Sequence, residues 1–502
     1  MGYEFVTLGI DVGTQSTKVL AYDAAGKEIL QTASAPHDII QKADGTSEQK
    51  ASWWIDAIEK CLNEISNEVR AATKCIGVSG QQHGFVPVGA DGEVIYNVKL
   101  WNDTSTEAEC AEITESFGGT EKLIKEVGNP ILPGYTAPKI KWLKNHEPKV
   151  YKRLARVLLP HDYINYYLTG AYTMEHGDAS GTGFLNVRER TWSADLLRAM
   201  DPDRDLAACL PPIIAADACA GTLRPELAKR FGFGSDVKVS AGGGDNMMAA
   251  VGTGSVSDGV FTASLGTSGT LFGYSNKPVV DPGGAFAAFC ASTSGWLPLV
   301  CTMNCTVASE LTRGLFDLPV KEFDALAASA PPGAGGVVTV PFYSGERTPN
   351  LPSATGTILG LTPQNMTKPH LFRSALESAL FGLKYGLEAF QKQGLSPAKI
   401  HLTGGGAKSP LWRQMAADVF NCPVAVPEVD ESAAFGAALQ ALWMHKKQSG
   451  STESMASIYE THGRMGADIN PASDAAAAYT KAYETYIEAV DLLTPHFRRN
   501  QE

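Results

Sequence analysis

The sequence predicts an α/β protein built as two domains facing each other across a cleft. Three observations carry that prediction. Short apolar runs ending in glycine-rich turns recur along the chain and alternate with helical patterns. One such hairpin occurs twice, half a chain apart. The chain has 502 residues, enough for two substantial cores.

The first hairpin sets the pattern. Phe5, Val6, Leu8 and Ile10 form an apolar run that ends at Asp11, turns through Gly13-Thr14-Gln15 and returns through Val19, Leu20 and Tyr22. Gly13 lets main-chain N–H groups approach an anion, Thr14 and Ser16 add hydroxyls, Lys18 adds positive charge, and Asp11 can anchor a hydrated cation. These are the groups of a phosphate-binding turn. The Walker pattern is absent, because it needs Gly-Lys-Ser/Thr at its end. Residues 261–275 repeat the plan, with Gly266-Thr267 in place of Gly13-Thr14 and Thr270 in place of Thr17. Ser264 and Leu271 replace Asp11 and Lys18, so the charges belong to the first copy alone. A chance echo of a common Gly-Thr turn is the simpler alternative.

The remaining elements follow in order. A third strand runs from Glu28 to Thr32, and Ser52 is the expected N-cap of a helix carrying Trp53, Trp54, Ile58 and Leu62. A short strand, Cys75 to Val78, opens into Gln82 and His83. Ligands gather beyond the carboxyl ends of such strands, so both are candidates to hydrogen-bond a polyol. A loop histidine with a satisfied ring is the simpler reading of His83. Val98 to Trp101 leads into Asp103, which either caps the next helix or accepts bonds from sugar hydroxyls. Residues 133–148 are expected as a Pro-bounded helix. Val237 to Ala241 runs into Gly242-Gly243-Gly244-Asp245-Asn246, where three glycines are expected to let the main chain approach a ligand. Asp245, where strand becomes helix, suits an N-cap, a general base, or both.

In the second half, a strand from Val337 to Val340 precedes Ser344-Gly345-Glu346-Arg347-Thr348-Pro349, where Glu346 and Arg347 read as a structural ion pair. A long helix is expected over 370–391. Ile400 to Leu402 ends in Gly404-Gly405-Gly406-Ala407, a flat floor for a planar base. Cys301 and Cys305 are expected as core residues of a helix face. A last helix through Tyr479, Tyr483, Tyr486 and Val490 is expected to stop at Pro495.

Composition narrows the partners. Hydrophobic residues make up 44% and charged residues 19%, a soluble globular balance, and the net charge of −12 argues against nucleic acid or an anionic membrane. The nine cysteines contain no CxxC pair, which fits reduced thiols. No apolar run approaches a membrane span, and the expected location is the cytoplasm.

Four segments together carry a resemblance: Asp11-Val-Gly-Thr-Gln-Ser-Thr-Lys18, Gly242-Gly-Gly-Asp-Asn246, Ser264-Leu-Gly-Thr-Ser-Gly269 and Gly404-Gly-Gly-Ala407. In this order and spacing they resemble the FGGY family of carbohydrate kinases, within the actin-like ATPase superfamily. Gly80-Gln-Gln-His-Gly84, Trp101-Asn-Asp103 and the 344–349 segment are similar to the branch that phosphorylates D-xylulose. Many bacterial members of that branch carry Met where this chain has Gln82, a departure that bears on the sugar and leaves the chemistry untouched.

The resemblance implies two ribonuclease H-like domains, 1–253 with the sugar and first phosphate loop and 254–502 with the second loop and adenosine. It implies ATP-dependent phosphorylation of D-xylulose to D-xylulose 5-phosphate, with Asp245 as base and with Gln82, His83, Asp103, Asp245 and Asn246 holding the ketose. Gly13, Thr14, Gln15, Lys18, Gly266 and Thr267 would take the phosphates, and Gly405, Gly406 and Ala407 would underlie the adenosine. Asp11 and Asp245 are the carboxylates expected beside Mg²⁺. The expected partners are the sugar and ATP, with a homodimer as the expected assembly. The alternatives are a sister kinase acting on ribulose, gluconate or a polyol, a non-catalytic sugar or nucleotide sensor, and an ATPase without a sugar substrate.

Overall fold

The computed structural model describes residues 3–499. Its first sheet opens with an antiparallel meander, β1 (Val6–Val12), β2 (Ser16–Asp23) and β3 (Glu28–Pro36). β4 (Thr73–Gly80) lies parallel to β1 on its other side. β5 (Cys219–Thr222) forms the edge, antiparallel to β6 (Lys238–Ser240), which runs parallel to β4. A two-residue strand, β7 (Gly243–Gly244), continues along β4.

The second sheet repeats this plan. β8 (Val260–Leu265), β9 (Gly269–Gly273) and β10 (Leu299–Thr302) form the meander, β11 (Lys399–Thr403) runs parallel to β8, and β12 (Val424–Ala425) runs parallel to β11. In both sheets the first strand is central, with the meander to one side and parallel strands to the other. The duplicated hairpin is therefore the start of a duplicated sheet. The expected two-domain α/β architecture is observed.

The helices follow from which faces the strands must cover. β1 and β4 are buried on both faces, as central strands in an α/β sheet are. Trp54, Ile58 and Leu62 of α1 (Ala51–Glu64) cover one face, packing with Val6, Leu8 and Ile10. α2 (Asp245–Thr253) starts directly after β7. α3 (Lys368–Lys392) brings Phe372, Leu376, Leu380, Leu383 and Phe390 to the second core. α4 (Ser432–Gln448) comes from the second half of the chain but sits on the other face of the first sheet. A side chain at Gly9 would run into the Ala434 carbonyl oxygen, and one at Gly77 into that of Ala437. Gly436 faces the Met248 carbonyl oxygen, and Gly252 that of Ser432, so α2 and α4 are packed backbone to backbone.

Several element boundaries differ from expectation. α1 starts before Ser52, with Lys50 at its N-cap position, because Glu48 and Gln49 pair with Lys99 and Val98 and free the chain immediately afterwards. The helix expected over 133–148 spans Thr136–His146. The last helix, Ser473–Arg499, runs through Pro495. Phe497 is buried there beside Phe342, with ring centroids 6.2 Å apart, and this packing holds the final turn together after the proline. All nine cysteines are free thiols. Among the described residues no helix is long and apolar enough to cross a membrane.

Gly9→Ala should force α4 away from the sheet, since backbone carbonyls cannot yield as a flexible side chain can. Overpacking of this kind costs about 1–3 kcal/mol or more. The urea midpoint of the variant should fall clearly below that of the wild type, and an unchanged midpoint would disprove the close packing.

Candidate active site

Asp11 is the penultimate residue of β1, and its Oδ1 accepts a 2.7 Å bond from Ser79 Oγ on β4. The following turn is closed by Gly13 N–H to Ser16 O, 3.1 Å, and is clamped by buried side chains. Gln49 Nε2 donates to Thr14 O (2.7 Å), while Gln49 Oε1 accepts from Gln81 Nε2 (2.8 Å) and Trp54 Nε1 (3.0 Å). Trp101 Nε1 donates to Thr14 Oγ1 at 2.9 Å. Asp11, Gly13, Thr14, Gln15 and Lys18 border a cavity of about 470 Å³ together with Trp101 and Asn102. Lys18 reaches out of it, its ammonium 2.5 Å from Glu431 Oε2 in the second half.

A second cavity, of about 400 Å³, shares Thr14 and Trp101 with the first. Gln82, His83, Asp245 and Asn246 line it from the first half, Gly266 and Thr267 from the second. The second turn is tied to helix Thr306–Gly314, whose first N–H groups act on it: Cys305 N donates to Thr267 O and Thr306 N to Gly266 O, both 2.9 Å.

Asp245 is delivered by the run of glycines, though for a different reason than expected. Side chains at Gly243 and Gly244 would strike Ser292, and Gln82 with Asp178, so these glycines serve internal packing. Gly242, at φ +75, is bracketed by the buried Gln440 of α4. Its N–H donates to Gln440 Oε1 and its carbonyl accepts from Gln440 Nε2, both 2.9 Å. Gly244 occupies the N-cap, and Asp245 is the first residue of α2. Asp245 Oδ1 accepts from Asn246 N (2.7 Å) and Nδ2 (3.0 Å), and Asn246 Nδ2 also donates to Gln82 Oε1 at 2.8 Å.

Gln82 Nε2 on this wall is buried and unbonded, an arrangement costly enough to point to a ligand. The Nδ1 edge of the His83 ring lies against the main chain of Gly181, so that side of the ring faces protein, as in the simpler reading. His83 sits at φ +65, its carbonyl accepting from the buried Lys139 Nζ (2.8 Å) and from Thr136 Oγ1 (3.2 Å). Burial pushes its imidazole down to about 3, which keeps it neutral.

The carboxylates are held above their ordinary range. Burial, then the charge of Asp11, pushes Asp245 up to about 7. Burial also pushes Asp11 up to about 6, against the Ser79 bond and Lys18, which lower it. Behind Asp245, His161 Nδ1 lies 2.6 Å from Asp178 Oδ2 and its Nε2 lies 3.0 Å from Asp162 Oδ1, all fully buried. Burial opposes a charge on His161, but the two carboxylates prevail and raise its proton affinity. Among the described residues no three His, Cys, Asp or Glu side chains gather as a metal cage. Asp11 and Asp245 alone fit an ion that keeps its waters and binds through phosphates, as Mg²⁺ does.

Other expected residues lie elsewhere. Asp103 is fully buried, with Oδ2 bonded by Ser47 N (2.8 Å) and Lys99 Nζ (3.1 Å) and Oδ1 by Ser105 N and Oγ. It organises its own loop and does not line the cavity. Gly405 is exposed with open space beside it, but Gly406 backs onto the Trp412 ring and Ala407 is core, so only part of that turn offers a floor. Cys301 lies on strand β10 and lines the cavity, while Cys305 is buried at the N-cap of the next helix. The Glu346–Arg347 ion pair does not form. The carboxylate of Glu346 instead accepts from Met303 N (2.6 Å), Arg347 N (2.7 Å) and Asn304 Nδ2 (3.1 Å), leaving the Arg347 side chain to line the cavity. Gln440, Lys139 and Arg347 are the site residues that sequence reasoning missed. Gln440 and Lys139 act from helices with no local signal, and the neighbouring Glu346 concealed Arg347.

Thr14 of the first turn and Gly266-Thr267 of the second, from opposite halves, line one cavity with Asp245, an arrangement of donors and an acid that phosphoryl transfer could use. The model of the FGGY family of carbohydrate kinases, N-terminal domain, matches residues 6–252, and that of the C-terminal domain matches residues 261–445. The chain belongs to this family, and its fold is that of the actin-like ATPases. A xylulose kinase from Haemophilus influenzae is 39% identical over 487 residues, covering 96% of this chain and 98% of the relative. Two solved structures from Lactobacillus acidophilus, a ligand-bound xylulose kinase and a gluconate kinase, superpose with TM-scores of 0.91 and 0.92. Each is 25% identical and is matched over 99% of both chains.

The raised Asp245 makes a stability prediction. A carboxyl bound more tightly to its proton in the folded state lowers stability as pH rises from about 4 to about 7, and the full penalty persists above. Asp245→Asn, which keeps an acceptor for Asn246 N–H, should raise the thermal midpoint at pH 8 and leave it nearly unchanged at pH 4. Equal shifts at both pH values would contradict the assignment.

Proposed function

We propose that the protein transfers the γ-phosphoryl group of ATP to D-xylulose in the cytoplasm, giving D-xylulose 5-phosphate and ADP. The observation that carries this reading is the single cavity shared by Thr14, Gly266-Thr267 and Asp245. The choice of sugar is supported by the Haemophilus influenzae relative at 39% identity. It is also supported by the unpartnered Gln82 Nε2 on the Gln82-His83 wall, which offers a hydrogen bond to a neutral polyol.

In this reading Gln82, His83 and Asn246 hold the sugar hydroxyls and place the acceptor oxygen beside Asp245. Asp245 takes the proton from that oxygen as its bond to phosphorus forms, and the bridging oxygen leaves with ADP. A base with a pKa of about 7 suits this task at neutral pH, where it is largely able to accept a proton and still holds it firmly. The Gly13-Thr14 and Gly266-Thr267 turns direct N–H and hydroxyl donors at the triphosphate from two sides. Gly405 offers the exposed part of the adenosine floor, with Gly406 and Ala407 behind it. Asp11 and Asp245 would hold Mg²⁺ through water, and the ion would supply charge neutralisation on the phosphates.

The test is phosphorylation of a panel of D-xylulose, D-ribulose, gluconate and polyols. The kcat/KM for D-xylulose should exceed the others by about tenfold or more. Preference for any other member would overturn the choice of sugar. Asp245→Ala should lower kcat by about 10²–10⁴-fold while ATP still binds. In the wild type, kcat/KM should fall tenfold per pH unit below about 7, as protonation of the free enzyme removes the base. Normal turnover by the alanine variant would remove Asp245 from the mechanism.

A further inference from the structure

The cavity contains a cation that the reading above does not use. Arg347 comes from the second half of the chain and crosses to the first, where its guanidinium lies over the Trp101 ring, 5.9 Å from the centroid. Trp101 is itself bonded to Thr14 of the first phosphate turn. Gly134 backs this contact, since a side chain there would press on the Trp101 carbonyl oxygen at 2.7 Å. Among the described residues Arg347 forms no ion pair, and the adjacent Glu346 is occupied by main-chain N–H groups and Asn304. Lys18, by contrast, has its charge matched by Glu431.

From this geometry we infer that Arg347, rather than Lys18, receives the phosphoryl group as it passes from ATP to the sugar. The inference rests on the kinase reading proposed above. An unmatched guanidinium in a partly enclosed cavity favours an anion. A ketose is neutral, so the anion that arises beside it is the transferring phosphoryl group, which remains as the phosphate of the product. Because Arg347 and Trp101 belong to different halves, the same contact makes cleft closure part of assembling the site. The phosphorus–oxygen bond to ADP breaks as the bond to the sugar oxygen forms. Arg347 supplies donors to the equatorial oxygens and exchanges no proton.

The experiment compares wild type, Arg347→Ala and Arg347→Lys, with thermal midpoints confirming that each is folded. Calorimetry should show D-xylulose binding within about threefold of wild type in all three. Binding of D-xylulose 5-phosphate should weaken by about 10–100-fold in Arg347→Ala. Turnover in that variant should fall by about 10²–10³-fold, the range for losing one donor aimed at developing charge. Arg347→Lys should recover part of both losses, since it keeps the charge without the planar pair of donors. If the panel selects a different acceptor, that sugar and its phosphate replace the xylulose pair, so the sugar's identity and the role of Arg347 are judged separately. Unchanged turnover, or equal weakening for sugar and sugar phosphate, would overturn the inference. So would Arg347-dependent binding of gluconate without nucleotide, with sugar-phosphate binding unaffected, since the guanidinium would then serve a substrate carboxylate.

Discussion

The seating of α4 on the first sheet is the constraint on which the rest of the structure depends. A helix can lie this close to a sheet only where side chains are missing, and Gly9 and Gly77 supply the gaps, as Gly252 and Gly436 do between α4 and α2. The contact seats a helix from the second half of the chain on the first sheet through backbone, where small shifts are sterically forbidden. It also brings Gln440 to the main chain of Gly242. The helix seated on the first sheet thus also sets the glycine run that leads into Asp245.

The site is presented by a dense polar interior. Gln49, Gln81 and Trp54 fix the first turn, Lys139 fixes the backbone of His83, and the His161–Asp178 pair stands behind the glycine run. Buried polar groups are costly unless paired, so each network holds one geometry and penalises others. Gln82 Nε2, buried without a partner, is an exception on the cavity wall. Asp11 and Asp245 are another local cost, two buried carboxyls whose charges oppose each other. Stability is sacrificed there for chemistry, a common trade at active sites.

The division of labour between the halves follows from their charges. The first half contributes the acids and the Gln82 and His83 side chains that line the cavity, and the second contributes a neutral turn. Arg347 is the exception, a second-half cation placed among first-half aromatics. Its position becomes intelligible once Glu346 is seen to serve the backbone of its own loop.

Much of this was legible in the chain, because it depends on local chemistry. Apolar runs and glycine turns announced the α/β class, the Gly13-Thr14 and Gly266-Thr267 echo announced the repeated sheet, and Asp245 at a strand-to-helix junction announced an acid at a strand end. Pattern alone could not separate the two uses of Asp103, whose oxygens are consumed by Ser47, Lys99 and Ser105. It also misjudged the glycines at 243 and 244 and the ion pair at 346 and 347. Those outcomes are set by partners distant in sequence, such as Gln440 acting on Gly242 or Trp101 beneath Arg347. The sequence by itself determined the elements, their duplication and the residue types of a phosphate-handling site. Only the tertiary structure decided which polar groups face the cavity and which are spent inside, because hydrogen-bond partners and close backbone contacts exist only once the two halves are packed.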